Sequence, residues 1–231
     1  MVEMNRAMSV YEREIDDLYT RVRDTLESRL LEFRQVWERG DESEILGELL
    51  FCLLTPAARA RAAWQTLNRL RQNGLILRGD GGLAEPDERM ILIARELNTV
   101  RFKNNKARNI VLAERRFTGE GNPSIRTELL RFHTPQEMRE WLVPSIRGIG
   151  YKEASHFLRN IGFYEDIAIL DRHILRNLMR LGIVERVPEG LSRKQYLHVE
   201  GRMRALAKRL RIPLHHLDLV LWYRETGEIF K

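Results

Sequence analysis

Residues 136–162 read QEMREWLVPSIRGIGYKEASHFLRNIG. Two amphipathic helices meet there at an apolar-glycine turn, Ile146-Arg147-Gly148-Ile149-Gly150. Glycine adopts backbone conformations closed to other residues, so two glycines one residue apart predict a sharp turn that lets a ligand approach closely. The second glycine opens a helix, and the free N–H groups of a helix start favour an anion. An ordinary corner between two helices would use glycine in the same way. The apolar residues on both sides and the basic residues around the turn favour a module that grips a phosphate backbone through main-chain amides.

Outward from that stretch the pattern stays helical. In residues 10–38, Ile15, Leu18, Val22, Leu26, Leu30, Phe33 and Trp37 recur at three- and four-residue steps. Gly40 and Asp41 break the pattern and Ser43 is placed to cap the next helix, whose residues 44–54 are nearly all apolar. Thr55-Pro56 is expected to start a helix over 57–72, with proline in its first turn. Ile76 and Leu77 fall in a glycine-rich stretch that reads as loop. Helices are expected near 87–97, 104–116, 124–131, 135–142 (capped by Thr134-Pro135), 151–160, 171–181, 192–210 and 213–225. No stretch alternates as a sheet strand would. The fold class is all-α.

Composition narrows the function classes. The chain has 231 residues, 43% hydrophobic and 31% charged, which describes a globular protein with a real core. The apolar run Ile45–Leu54 is interrupted by Glu48 and too short to span a bilayer. One cysteine, Cys52, excludes an internal disulfide and a four-cysteine metal site. A reducing, cytoplasmic setting with no membrane is expected. The net charge is +6, but residues 1–48 carry −6, which leaves +12 for the remainder. That asymmetry points to a polyanionic partner. Residues 59–78 hold five arginines and no acid, and residues 101–116 hold six basic residues and one acid.

Only six of the 39 basic residues are lysine: Lys103, Lys106, Lys152, Lys194, Lys208 and Lys231. Lysine alone can become an amine nucleophile, so each one raises a question. Lys152 falls in the first turn of the helix opened by Gly150. The positive end of a helix disfavours an ammonium there, a poor place for a structural lysine and a suitable one for an attacking amine. Nineteen residues later Ile167-Ala168-Ile169-Leu170 leads into Asp171, which reads as a helix N-cap at the mouth of a buried segment. A lysine nucleophile with a carboxylate suits cleavage of a glycosidic bond through a covalent imine. The six histidines show no zinc-like spacing; His156 and His173 are the two expected near the site.

GIGYK, EASHFLRNIG and AILDRHILR together resemble the helix-hairpin-helix superfamily of DNA glycosylases. Within it they are most similar to the archaeal-type (type 2) 8-oxoguanine DNA glycosylase/AP lyases, from about residue 45 to the end. The resemblance implies that Lys152 attacks C1′ of the damaged nucleotide. It implies that Asp171 stabilises the developing sugar cation and assists proton transfer. Arg147, Gly148, Gly150, Tyr151 and Arg172 would hold the DNA backbone. Main-chain carbonyls of Pro144, Ile146 and Ile149 occupy the positions of a monovalent or calcium ion site; no other cofactor is implied. Lys231 would meet the flipped purine through a terminal carboxylate, with Trp222 stacking on the base and Phe102 and Pro56 lining the pocket. A carbonyl near Thr55 or Pro56 is expected to accept from N7 of the lesion, which donates where guanine accepts.

The implied architecture is two-lobed. A helical barrel over 44–158 carries Lys152, and a second lobe from 1–43 and 159–231 carries Asp171 and Trp222, with the site in the cleft. The partner would be double-stranded DNA containing 8-oxoguanine, bound by a monomer. Two departures stand out: Arg147 where relatives often have proline, and Ala57-Ala58 where many place a glutamine that fills the duplex gap. They leave the opposite base open. The rival readings are a glycosylase for another lesion, a hairpin module that only binds DNA, and a helical scaffold.

Overall fold

The computed structural model describes residues 8–76, 85–98, 100–119 and 121–231. Leu77 and the glycine-rich stretch expected to be loop lie outside them in part. The described residues form helices only: α1 (Val10–Arg39), α2 (Glu42–Leu54), α3 (Ala60–Gln72), α4 (Pro86–Glu96), α5 (Lys103–Thr118), α6 (Ile125–Leu129), α7 (Pro135–Ser145), α8 (Tyr151–Asn160), α9 (Arg172–Arg180), α10 (Arg193–Leu210) and α11 (Leu214–Thr226). None is long and apolar enough to cross a membrane.

Two compact units are present. The first comprises Met1–Leu31 and Glu165–Ile229, the second Glu32–Tyr164 and Phe230–Lys231. In the second unit α2 is the central rod, packed against α3, α5, α6 and α8. All ten residues from Ile45 to Leu54 are buried, which is why the sequence there loses its polar face. Asp41, not Ser43, caps α2: its Oδ1 accepts from the N–H groups of Ser43 at 2.8 Å and Glu44 at 3.3 Å. Both residues are good caps, and the one with extended backbone just ahead of the first helical turn takes the role.

The expected helix over 57–72 starts three residues late, at Ala60. Thr55 closes α2 by donating its N–H to Cys52, and Ala58 N–H turns back to the Thr55 carbonyl at 3.0 Å. Ala57 sits at φ 54°, a left-handed conformation incompatible with a helix. Pro56 therefore serves a turn between helices and not a first helical turn. α7 starts as the sequence suggests. Thr134 Oγ1 accepts from Glu137 N–H at 3.2 Å, and Glu137 accepts from Thr134 N–H at 3.1 Å, a reciprocal capping box.

In the first unit α11 packs on α9 and α10. Ile167–Leu170 is buried and belongs to no helix, and the Asp171 N–H turns back to the Ile169 carbonyl at 2.8 Å. Its N–H groups are met by side chains: Ala168 donates to Glu200 at 2.9 Å, Ile169 to Asp218 at 3.1 Å and Leu170 to Tyr196 at 3.2 Å. All three acceptors are buried.

Candidate active site

The hairpin turn links α7 to α8. Ile146 and Ile149 are buried and anchor it, while Arg147 and Gly148 are exposed. Gly148 has φ 89°, and a Cβ there would fall 2.1 Å from the Asn109 side-chain amide on α5. The positive φ selects glycine, and any larger residue would also have to push the Asn109 side chain aside. Gly150 differs from the expectation. Its φ of −102° is open to any residue. Its own N–H faces Glu153 Oε2 at 3.3 Å. Tyr151 donates its hydroxyl to Glu140 at 2.6 Å and lies under the guanidinium of the buried Arg139, which itself donates to Ser155. Pro144 lies in the last turn of α7, and the Ile146 carbonyl accepts from Ile149 N–H at 3.2 Å.

Lys152 projects from the first turn of α8. Its Nζ donates to Thr55 Oγ1 at 3.2 Å and lies 3.6 Å from Glu153 Oε1. The side chain keeps 23% of its surface exposed, so the amine is held yet reachable. The Thr55 hydroxyl donates in turn to the Cys52 carbonyl at 2.9 Å, leaving an oxygen lone pair for the amine. On the same turn the Pro56 carbonyl accepts from Lys106 Nζ at 2.7 Å. The carbonyls of Leu54 and Thr55 are also engaged, by Lys106 and Ala58. Phe102 starts α5 with φ 62°, exposed, with the Arg101 guanidinium 4.8 Å from its ring centre.

Lys231 belongs to this unit as well. Its ammonium pairs with the buried carboxylate of Glu48 and stands 4.0 Å from the ring centre of Trp64 and 5.9 Å from that of Phe51. Phe230 beside it lies under Arg61. The second oxygen of Glu48 accepts from Asn160 at 2.9 Å, so both oxygens of this charge are satisfied. His156 is buried edge-on to Phe51. Burial, then Arg159 and Lys152, hold its pKa well below the ordinary value, with the Lys231 backbone acting the other way. Burial and the Glu48 carboxylate push the Cys52 thiol far up, so it is inert.

Asp171, Arg172 and Trp222 lie in the other unit. Asp171 caps α9, its Oδ1 accepting from Ile174 N–H at 2.9 Å, with the side chain part-exposed. Arg172 beside it is exposed. Trp222 on α11 stacks edge-on against His173, ring centres 4.9 Å apart, and its buried indole N–H has no hydrogen-bond partner. The residues that sequence reading did not assign are Glu48, Thr55 through its hydroxyl, Trp64, Lys106 and Asn160. Two of them carried a signal: Glu48 as the charge inside an apolar run, and Lys106 as one of six lysines.

A family model described as 8-oxoguanine DNA glycosylase matches residues 26–212. A Fusobacterium nucleatum protein named 8-oxoguanine DNA glycosylase/AP lyase is 42% identical over 221 residues, covering 96% of this chain and 98% of that one. Among solved structures, the Methanocaldococcus jannaschii 8-oxoguanine glycosylase/lyase in complex with a 15mer DNA containing 8-oxoguanine superposes with a TM-score of 0.82. It is 33% identical and is matched over 96% of this chain and 100% of that one. The Thermotoga maritima 8-oxoguanine DNA glycosylase superposes at 0.79 with 32% identity, over 95% and 98%.

Proposed function

The chain belongs to the 8-oxoguanine DNA glycosylase family, and from that premise we propose how its residues divide the work of removing 8-oxoguanine from DNA and cleaving the strand. The target nucleotide must leave the stack, because its glycosidic bond is hidden in the duplex. The hairpin around Gly148 and Gly150, with Arg147, Tyr151 and Arg172, holds the backbone while that happens. Unstacking costs a few kcal/mol, offset by phosphate contacts and by stacking in the pocket.

Lys152 Nζ then attacks C1′. The C1′–N9 bond breaks and the base leaves with its electron pair; the lysine nitrogen gives up one proton, the C1′–O4′ bond opens with O4′ taking a proton, and the nitrogen, keeping one hydrogen, holds C1′ as an iminium. Loss of a 2′ proton and departure of the 3′ phosphate complete β-elimination, and water releases the lysine. Asp171 supplies a carboxylate for the positive charge that builds on the sugar and for the proton transfers. Trp222 and Phe102 supply aromatic surface, Pro56 lines the pocket, and Lys231, tethered by Glu48 and Trp64, meets the base. A cation held by the Pro144, Ile146 and Ile149 carbonyls would suit a hard ion, and the Ile146 oxygen retains one lone pair for it.

The observation that carries this reading is the Lys152 amine, directly after the hairpin, part-exposed and resting on a neutral hydroxyl. The test is borohydride trapping on duplexes containing 8-oxoguanine, guanine or an abasic site. A covalent adduct on the lesion duplex that vanishes in Lys152→Gln is the expected result. An adduct on the abasic duplex alone would remove the lesion assignment, and an adduct that survives in Lys152→Gln would remove the nucleophile.

A further inference from the structure

Lys106 is fully inside the protein, 4% exposed, on the first turn of α5. Its ammonium donates to the carbonyls of Leu54 and Pro56, each at 2.7 Å. Those two carbonyls flank Thr55, and Thr55 Oγ1 is the acceptor for the Lys152 amine. Burying an ammonium is costly even when it is hydrogen-bonded, and an apolar side chain of the same length would fill the space without that cost. Burial, and after it repulsion from Lys152, brings Lys106 down to about 8. The cation sits at the C-terminal end of α2, where carbonyls are unsatisfied and the helix field favours it. It also closes the turn in which Ala57 is held at φ 54°.

We propose that Lys106 is a positioning residue for Lys152: it clamps the two carbonyls around Thr55 and so sets the hydroxyl on which the attacking amine rests. This rests on Lys152 being the nucleophile. The chemistry that makes the clamp useful is directional. The Thr55 proton is committed to the Cys52 carbonyl, so the hydroxyl can only accept from Lys152. An amine that spends an N–H on Thr55 keeps its nitrogen lone pair for C1′. Releasing the turn frees the amine to rotate, and misplacement of a reacting group by about 1 Å costs roughly a hundredfold in rate.

The test is a double-mutant cycle on single-turnover trapping with the 8-oxoguanine duplex, with duplex affinity measured separately. Lys106→Met and Thr55→Val are each expected to slow trapping roughly tenfold to hundredfold. Duplex affinity is expected to stay within about twofold, well under the tenfold that 1.4 kcal/mol would give. Combined, they are expected to be no slower than the slower single variant, because both act through one hydrogen bond. Lys106→Gln, which keeps two N–H donors, should recover part of the rate. Wild-type trapping in Lys106→Met, or multiplicative losses in the double variant, would overturn the proposal. Should Lys106→Met fail to fold, Lys106→Gln with Thr55→Val completes the same cycle. Lys152→Gln separates the two readings: loss of the adduct keeps the nucleophile, whereas an adduct that survives and maps to Lys106 makes Lys106 the attacking amine and ends its positioning role.

Discussion

At the start of α9 an anion sits where a helix favours one, and at the start of α8 a cation sits where a helix does not. Asp171 does two jobs with one group: it satisfies the Ile174 N–H and keeps a charge at the surface of its unit. Lys152 gains nothing from its helix and is held by what surrounds it, the Thr55 hydroxyl and the neighbouring Glu153. The difference extends to the chain leading into each helix. The run before Asp171 is fixed by buried side chains from α10 and α11. The turn before Lys152 is fixed by backbone geometry and one obligatory glycine. A carboxylate at a helix start can be structural, functional or both. A lysine there has far less structural reason to exist.

Three experiments would break or sharpen that contrast. The largest effect is expected from Asp171→Asn. Asparagine caps a helix as well as aspartate does, so the fold should persist while base release falls roughly 10²–10⁴-fold. Asp171→Ala should lose as much activity and about 1 kcal/mol of stability besides, read by chemical unfolding. Full activity in the asparagine variant would reduce Asp171 to a cap and erase its side of the comparison. A smaller effect separates the two hairpin glycines. Gly148→Ala should cost about 1–3 kcal/mol, because an L-residue is strained at its φ of 89° and meets Asn109. Gly150→Ala should cost under about 1 kcal/mol, since its φ is ordinary and only the Glu153 side chain must give way. Equal costs would mean that the turn relaxes as a whole. The smallest effect concerns stability alone. Lys152→Gln should leave the unfolding midpoint unchanged or raise stability by about 0.3–1 kcal/mol, as a cation leaves a helix start. A clear loss would show that this lysine supports the fold after all.

The hairpin was legible in the sequence because a backbone demand selects a residue type: φ 89° at Gly148 leaves little but glycine. The Asp171 cap was legible because an apolar run stops at a residue that accepts hydrogen bonds. The helix limits followed from the spacing of apolar residues, with misplacements where chemistry is degenerate. Asp41 and Ser43 are both good caps, and Pro56 serves a turn as readily as a first helical turn. Gly150 carries the same residue type in the sequence, but its backbone needs no glycine. Thr55, Lys106 and Glu48 were harder, because their roles are set by partners far along the chain. Glu48 meets Asn160 and Lys231 across 112 and 183 residues. Lys106 reaches back 52 residues to Leu54. No local pattern encodes such meetings. What remains visible is a residue out of character, a charge in an apolar run or a lysine in an arginine-rich chain.

The buried run from Ile167 to Leu170 is an apolar segment outside any helix. Backbone N–H groups buried outside a helix or sheet are costly unless something accepts from them. Here the acceptors are Glu200, Asp218 and Tyr196, and Tyr196 returns its own proton to the Ala168 carbonyl at 2.6 Å. These three side chains therefore take the place of the missing ladder and hold the run inside its unit. Damage to any of them would strand a buried N–H a few residues from Asp171, so stability and activity should fall together.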